Sequence, residues 1–266
     1  MKCALTIAGS DSSGGAGIQA DIKTMSALGV FAECVITALT AQNTLGVQSV
    51  SPVNPAFVRA QMDSVFSDIR PDAVKIGMLA NADIVHAVAE GLRAHQARNI
   101  VVDPVMVATS GDSLAEDSTV AALDELLSLA TLATPNIPEA EVLSGMRIAT
   151  KEDMAKAAAR ICESKACPAV LVKGGHLNNV ADDVLVTGTG EETWFIHERI
   201  ETSNTHGTGC TLSSAIASYL ALGESLPNAI KLAKSYLTGA LANDPHLGKG
   251  SGPVNHLWMM QGRSRA

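Results

Sequence analysis

The chain has 266 residues, which is enough for one large domain or two small ones. Its composition, 47% hydrophobic and 17% charged, suits a packed core and excludes a disordered protein. A net charge of −8 without any basic run argues against nucleic acid or an anionic membrane as the main partner. The five cysteines lack metal-ligand spacing, and no apolar run has the length of a membrane span. We therefore expect reduced thiols in a cytoplasmic protein.

Short apolar runs alternate with helical patterns along the chain. The predicted strands are residues 3–8, 34–39, 73–76, 100–102, 132–133, 169–172 and 184–186, and the predicted helices are 16–28, 55–69, 82–95, 117–129, 138–144 and 151–163. Continuous Val, Ile and Leu runs are typical of strands covered on both faces, which predicts a mostly parallel sheet. A further helix follows Cys210 and ends near Gly223. No repeat or composition break interrupts the pattern, so we predict one three-layer α/β domain over residues 1–266.

Polar or glycine-rich segments follow most of the predicted strands. In an open α/β sheet, ligands bind beyond the carboxyl ends of the strands. We therefore expect these segments to face one crevice, and they begin at Gly9, Gln42, Gly77, Asp103, Thr134 and Lys173.

The helix that follows Cys210 is preceded by the segment Asn204-Thr205-His206-Gly207-Thr208-Gly209. Its glycines let the backbone turn tightly and approach a ligand, and free N–H groups at a helix start form an anion cradle. Cys210 would then lie at the edge of this cradle, where charge develops during phosphoryl or acyl transfer. The alternative is a glycine-rich helix entry with a cysteine that only packs.

Two carboxylates, an amide and a lysine follow the central strands. Asp103 and Glu139 have the oxygen ligands that Mg²⁺ prefers, Asn136 could contact phosphate, and Lys173 beside two glycines could bind phosphate. Each also has a structural alternative: a turn residue for Asp103, a helix-start charge for Glu139 with Asn136 as its cap, and a solvated turn for Lys173.

Gln42 offers an amide acceptor and donor side by side, which would match the ring nitrogen and exocyclic amine of an aminopyrimidine. A solvated loop glutamine is the alternative. The glycines at 14–17 do not fit the dinucleotide fingerprint, and the chain has no G-x-x-x-x-G-K-[ST] phosphate loop. If the protein binds ATP, it uses another architecture.

Taken together and in order, these segments resemble the ribokinase superfamily, and within it the hydroxymethylpyrimidine/phosphomethylpyrimidine kinases of thiamin biosynthesis. The resemblance is carried by residues 5–11, 14–21, 38–44, 75–79, 103–106, 134–140, 173–176 and 206–210. It implies a ribokinase-like fold without a separate lid domain and a homodimer. It also implies ATP and Mg²⁺, with hydroxymethylpyrimidine and then its monophosphate as phosphoryl acceptors.

The resemblance also implies a role for each site residue. Gly207, Thr208 and Gly209 would form the anion hole with Cys210 where many superfamily members have a catalytic aspartate. The pyrimidine pocket would be lined by Asp21, Gln42, Met78 and Val105, and the nucleotide phosphates and Mg²⁺ would be bound by Asn136, Lys173, Asp103 and Glu139. A helix start could lower the pKa of the Cys210 thiol enough for it to act as a base near neutral pH.

Three other functions remain open from sequence. A pyridoxal or pyridoxine kinase has the same fold and also phosphorylates a hydroxymethyl group on a nitrogen heterocycle, although Gln42 and Cys210 favour the pyrimidine. A non-catalytic nucleotide or vitamin sensor could retain the pocket. A dinucleotide-dependent oxidoreductase is the most distant alternative.

Overall fold

The computed structural model describes residues 1–106, 117–175, 181–197 and 199–260. Within these ranges, nine strands form one sheet in the order β3-β2-β1-β4-β5-β6-β7-β8-β9. The strands are β1 Cys3–Asp11, β2 Phe31–Asn43, β3 Gly46–Pro52, β4 Ala73–Ile76, β5 Ile100–Val102, β6 Leu132–Ala133, β7 Ala169–Val172, β8 Asp183–Thr187 and β9 Glu192–Phe195. The helices are α1 Gly17–Ala27, α2 Pro55–Asp68, α3 Ala82–Ala94, α4 Asp117–Leu127, α5 Ile137–Ser144, α6 Lys151–Ser164, α7 Thr208–Ala221 and α8 Leu226–Ala242.

The six strands β1, β2 and β4–β7 run parallel, as the apolar runs predict, and antiparallel strands complete both edges. Helices α2–α6 pack through one apolar cluster on one face of the sheet, while α1, α7 and α8 pack on the other. The predicted three-layer α/β fold is therefore confirmed. None of the described helices combines the length and hydropathy that crossing a bilayer requires.

Local sequence signals account for several helix ends. The Asn54 side chain accepts a hydrogen bond from the Ala56 N–H at the start of α2, and Thr150 forms a reciprocal capping box with Asp153 at the start of α6. Helix α7 ends just before Gly223, whose φ of +97° is a conformation that glycine adopts without strain. These three predicted boundaries are confirmed.

Two strands were not predicted from sequence. Strand β3 is almost wholly exposed, and β9 has only one buried residue, so neither contains a continuous apolar run. Their places in the sheet come from hydrogen bonding to β2 and β8, which already lie in the sheet. Strands at a sheet edge need not bury both faces, so their sequences lack the pattern of the central strands.

The carboxyl ends of the parallel strands bring distant segments to one edge of the sheet. Asp11 ends β1, Gly77 follows β4, and Asp103 follows β5. Beyond β6 and β7, Asn136 and Lys173 form an isolated parallel bridge, which places those two segments side by side. The N-terminus of α7 reaches the same edge, where the polar segments meet as predicted.

Candidate active site

A cavity of about 720 Å³ lies at the carboxyl edge of the sheet. Its wall includes every predicted site residue except Asp21, namely Gln42, Met78, Asp103, Val105, Asn136, Glu139, Lys173, Gly207, Thr208, Gly209 and Cys210. The predicted acceptor, phosphate and metal residues therefore share one cavity, although they are spread over some 170 positions of the chain.

The glycine-rich segment forms the N-terminus of α7. Gly207 is the N-cap in the left-handed region, with a φ of +83°, and within the described part of the chain no side chain caps this helix. A Cβ on Gly207 would lie 2.0 Å from the backbone oxygen of Gly15, so no larger residue fits. The N-terminal amides of a helix without a side-chain cap have the positive potential that binds an anion.

A charged pair lies directly against this helix start. Lys173 Nζ donates to Asp103 Oδ1 at 2.8 Å, and the Thr134 hydroxyl donates to the same oxygen at 3.2 Å. A Cβ on Gly209 would lie 3.2 Å from Asp103 Oδ2 and 3.5 Å from Lys173 Nζ, so glycine allows this close approach. Burial opposes the ammonium form, but the carboxylates of Asp103 and Glu139 raise the pKa of Lys173, which keeps its charge.

Glu139 and Asn136 form a reciprocal capping box at the start of α5, which is the structural role that the sequence offered as an alternative to metal binding. Its carboxylate accepts from the Asn136 N–H at 2.7 Å, and Asn136 Oδ1 accepts from the Glu139 N–H at 2.9 Å. Burial raises the pKa of Glu139 to about 7, with Lys173 opposing and Asp103 reinforcing the rise. Capping the helix does not prevent Glu139 from binding a metal ion, because a cation in the cavity would favour the ionised form of its carboxylate.

The side chains of the cavity provide only some of the ligands that a hard cation such as Mg²⁺ needs. Asp103 and Glu139 supply carboxylate oxygens to the cavity, and such oxygens are what Mg²⁺ prefers. Among the described residues, no group of three or more His, Cys, Asp or Glu side chains could hold a metal ion. Any Mg²⁺ here would therefore need phosphate oxygens and water as further ligands, as is usual for nucleotide-bound magnesium.

Cys210 lies in the first turn of α7 and lines the cavity. Burial raises the pKa of its thiol to about 11, even though the Lys75 ammonium and the Gly17 N–H favour the thiolate. The expectation that the helix start would lower this pKa was therefore wrong. Removing the thiol from water outweighs the nearby positive potential.

The other residues predicted to bind the acceptor, Gln42, Met78 and Val105, also line the cavity. The Gln42 side-chain oxygen accepts from the Thr40 hydroxyl at 3.1 Å. The Ser12 hydroxyl donates to the Gln42 backbone oxygen at 2.8 Å and accepts from its N–H at 2.9 Å. Met78 and Val105 are half-buried in the cavity wall. The lining therefore includes both a hydrogen-bonded amide and apolar side chains, which are the groups that a small heterocycle requires.

Asp21 lies outside the cavity wall. It is fully buried and ion-paired with Lys75, whose Nζ lies 2.8 Å and 3.0 Å from the two carboxylate oxygens, and it accepts from Thr6 at 2.6 Å. The structure thus pairs Asp21 with a buried lysine and does not place it in the wall of the predicted pyrimidine pocket. This ion pair was not predicted from the sequence. A lysine within the apolar run Ala73–Ile76 was the available signal, because a buried lysine needs a carboxylate partner.

Other residues of the cavity wall were not singled out from sequence. Asp11 and His206 meet there, and Lys234 pairs with Asp183 at the far end. The partner of His206 is 195 residues away in the chain, so local sequence patterns give no signal for this contact. His176, the last residue of the predicted lysine motif, lies outside the described residues.

Comparisons with known proteins agree with this geometry. The pattern of the phosphomethylpyrimidine kinase family matches residues 11–255. The hydroxymethylpyrimidine/phosphomethylpyrimidine kinase of Salmonella typhimurium is 52% identical over 258 residues, covering 96% of this chain and 97% of that protein. The bifunctional thiamine biosynthesis protein ThiED of Geobacter sulfurreducens is 52% identical over 255 residues, which are 95% of this chain and 52% of that protein.

A solved structure supports the fold independently. The ADP complex of Bacillus subtilis pyridoxal kinase superimposes with a TM-score of 0.89 and is 38% identical, covering 98% of this chain and 99% of that chain. The architecture is therefore shared with a kinase that binds an adenine nucleotide. The family pattern spans the strands and loops that build the cavity, and we conclude that the chain belongs to the phosphomethylpyrimidine kinase family.

Proposed function

We propose that this protein is an ATP-dependent kinase that phosphorylates 4-amino-5-hydroxymethyl-2-methylpyrimidine and then its monophosphate in thiamin biosynthesis. The observation that carries the proposal is the shared cavity, in which the uncapped start of α7 and Lys173 lie together with Gln42. The part of the cavity at Gln42, here called the acceptor end, suits an aminopyrimidine. The part at the start of α7 and Lys173 suits the phosphate that is transferred. The names of the relatives from Salmonella typhimurium and Geobacter sulfurreducens support the same activity and pathway.

In this proposal, the acceptor hydroxymethyl group lies between Gln42 and the start of α7. The amides of Gly207–Gly209 and the Lys173 ammonium stabilise the charge that spreads over the transferring phosphoryl group. Asn136 lies beside Lys173 through the bridge between their strands and contacts phosphate. Mg²⁺, held by Asp103 and Glu139 directly or through water, would neutralise charge on the nucleotide phosphates. Positioning supplies most of the catalysis, because phosphoryl transfer needs little covalent chemistry from the protein.

Cys210 is the proposed group that accepts the hydroxyl proton. Its raised pKa of about 11 means that few thiols are ionised at neutral pH, so each thiolate that forms is a strong base. Deprotonation can be concerted with phosphoryl transfer, because the acceptor hydroxyl becomes acidic only as its oxygen forms the new bond. The alternative, in which Cys210 only shapes the anion hole, is tested by substitution below.

Pyridoxal kinase is the second candidate activity, and the high similarity to Bacillus subtilis pyridoxal kinase supports it. The deciding experiment offers hydroxymethylpyrimidine, its monophosphate and pyridoxal separately with ATP and Mg²⁺, and identifies each product by mass. We expect both pyrimidines to be phosphorylated with higher kcat/KM than pyridoxal. Phosphorylation of pyridoxal alone would reject the proposal, and absence of ATP turnover with every acceptor would favour the sensor.

We further propose that the protein is a cytoplasmic homodimer. Strand β3 is an exposed sheet edge. Val50 in β3, Leu39 in the neighbouring β2 and Leu45 in the turn between the two strands each have an apolar side chain that is at least 39% exposed. Such an edge is usually covered, and a second copy of the chain would cover it. All five cysteines are free thiols, which supports a reducing compartment. Sedimentation analysis of the purified protein tests the dimer, and a monomer at micromolar concentration would reject it.

A further inference from the structure

Two loops meet in the wall of the cavity. The first-strand loop, residues 11–17, runs from the last residue of β1 to the first residue of α1, and the anion-hole loop, residues 205–209, precedes and begins α7. They are joined by Asp11 and His206, whose carboxylate Oδ2 and imidazole Nε2 lie 2.8 Å apart. Asp11 is 2% exposed and His206 is 5% exposed, so water does not compete for this contact. A polar contact excluded from water is stronger than the same contact on the surface.

Asp11 also organises its own loop. Its carboxylate accepts from the N–H groups of Ser13 at 2.8 Å, Gly15 at 3.1 Å and Ala16 at 2.8 Å. Burial alone would raise the pKa of Asp11, but the hydrogen bonds from His206, Ser13 and Ala16 lower it to about 2. The carboxylate is therefore ionised at every pH at which a kinase would work. One charged group holds both the first-strand loop and the His206 ring.

Glycine lets the two loops touch. A Cβ on Gly15 would lie 2.5 Å from Cδ2 of His206, and a Cβ on Gly207 would lie 2.0 Å from the backbone oxygen of Gly15. The backbone of His206 is held on its other side by hydrogen bonding of its N–H to the Gly252 oxygen at 3.1 Å. His206, which directly precedes Gly207, is thus held through its side chain by Asp11 and through its backbone by Gly252.

The same loop reaches the acceptor end of the cavity. Ser12, next to Asp11, exchanges two hydrogen bonds with the backbone of Gln42. A continuous chain of contacts therefore runs from Gln42 through Ser12 and Asp11 to His206 and Gly207. It connects the residue proposed to bind the pyrimidine with the amides proposed to bind the transferring phosphoryl group.

We propose that Asp11 and His206 are positioning residues that set the distance between the acceptor end of the cavity and the anion hole. The inference rests on the proposed kinase function. This role concerns the placement of the two loops and assigns no proton transfer to either side chain. Misplacing the anion hole weakens contacts that form in the transition state more than contacts to the bound substrates, so turnover should fall more than substrate affinity.

The test compares His206→Gln with His206→Asn. Both variants keep a side-chain amide, but only glutamine has the length to place an N–H donor near the Asp11 carboxylate. We expect His206→Asn to lower kcat by about 10²-fold, the typical effect of displacing reacting groups by about an ångström, and to change the KM for hydroxymethylpyrimidine by less than about 3-fold. We expect His206→Gln to recover most of kcat. Asp63→Asn is the matched control, because it disrupts another His–Asp contact, with His95 at 2.6 Å, on α2 and away from the cavity.

Kinetics are expressed per folded molecule, with folding measured by circular dichroism and urea unfolding. Unchanged kcat in His206→Asn, or a raised KM with unchanged kcat, would overturn the inference, as would equal loss in the Gln and Asn variants. If His206→Asn does not fold, Asp11→Asn is judged by the same kcat and KM criteria. A wild-type protein that forms no phosphorylated pyrimidine would instead refute the proposed function, so the two failures are distinct.

Discussion

Replacing Glu139 by glutamine removes one negative charge from a buried position with little change in shape. The pKa of Glu139 is raised from 4.5 to about 7, first by burial, with Lys173 opposing and Asp103 reinforcing the shift. The folded protein therefore binds a proton more tightly than the unfolded chain does. Between these two pKa values, the free energy of unfolding of the metal-free protein must fall as pH rises.

The size of the effect follows from the shift. Each pH unit corresponds to about 1.4 kcal/mol, so ionised Glu139 lowers the free energy of unfolding by about 3 kcal/mol at pH 8. Glutamine cannot ionise, and its side-chain oxygen can still accept from the Asn136 N–H, so the helix cap survives. In EDTA we expect Glu139→Gln to be more stable than the wild type at pH 8 by up to about 3 kcal/mol, with the difference vanishing near pH 4.5.

Urea unfolding at a series of pH values measures this difference. Glu141→Gln on the same helix is the control, because the Glu141 carboxylate accepts from the Ile148 N–H instead. Parallel wild-type and Glu139→Gln stability curves between pH 4.5 and 8 would refute the reasoning. In the kinase assay the same variant should have lower turnover that added Mg²⁺ partly restores. Wild-type turnover at every Mg²⁺ concentration would leave Glu139 only its role in the helix cap.

Gln42→Ala should weaken pyrimidine binding by about 1–3 kcal/mol, because a paired polar edge loses its partner, and calorimetry should find nucleotide binding unchanged. Cys210→Ser should bind both substrates but lower turnover by about 10²–10⁴-fold if the thiolate is the general base, and Cys210→Asp should recover part of it. Because folding lowers the pKa of Asp11 to about 2, this carboxylate should contribute about 2 kcal/mol of stability above pH 4. That contribution is lost as pH falls from about 4 to 2, and acid unfolding followed by circular dichroism should show the loss diminished in Asp11→Asn.

Each of these three predictions would be contradicted by a specific result. Unchanged pyrimidine affinity would remove Gln42 from the acceptor site. Near-normal turnover in Cys210→Ser would show that the cysteine only shapes the anion hole. Identical acid unfolding of the wild type and Asp11→Asn would show that folding does not lower the pKa of Asp11.

The central fold could be predicted from sequence because its strands are buried on both faces. The apolar runs at 73–76, 100–102, 132–133 and 169–172 coincide with β4, β5, β6 and β7 residue for residue. Burial on both faces requires a continuous apolar run, and such a run can be recognised without tertiary information. Strand β3 could not be recognised in this way, because an exposed edge is specified by its partner rather than by its own hydrophobicity.

The location of the site was likewise predictable, since parallel strands bring their carboxyl ends to one edge. The fold class, the glycine-rich start of α7 and the family could be inferred from residue types and their order, because they depend on local patterns. Three features became visible in the folded chain alone: the pairing of Asp21 with Lys75, the raised pKa of Cys210 and the contact between Asp11 and His206. Partner choice and desolvation depend on which distant groups share a water-free volume, and that is set by packing of the whole chain.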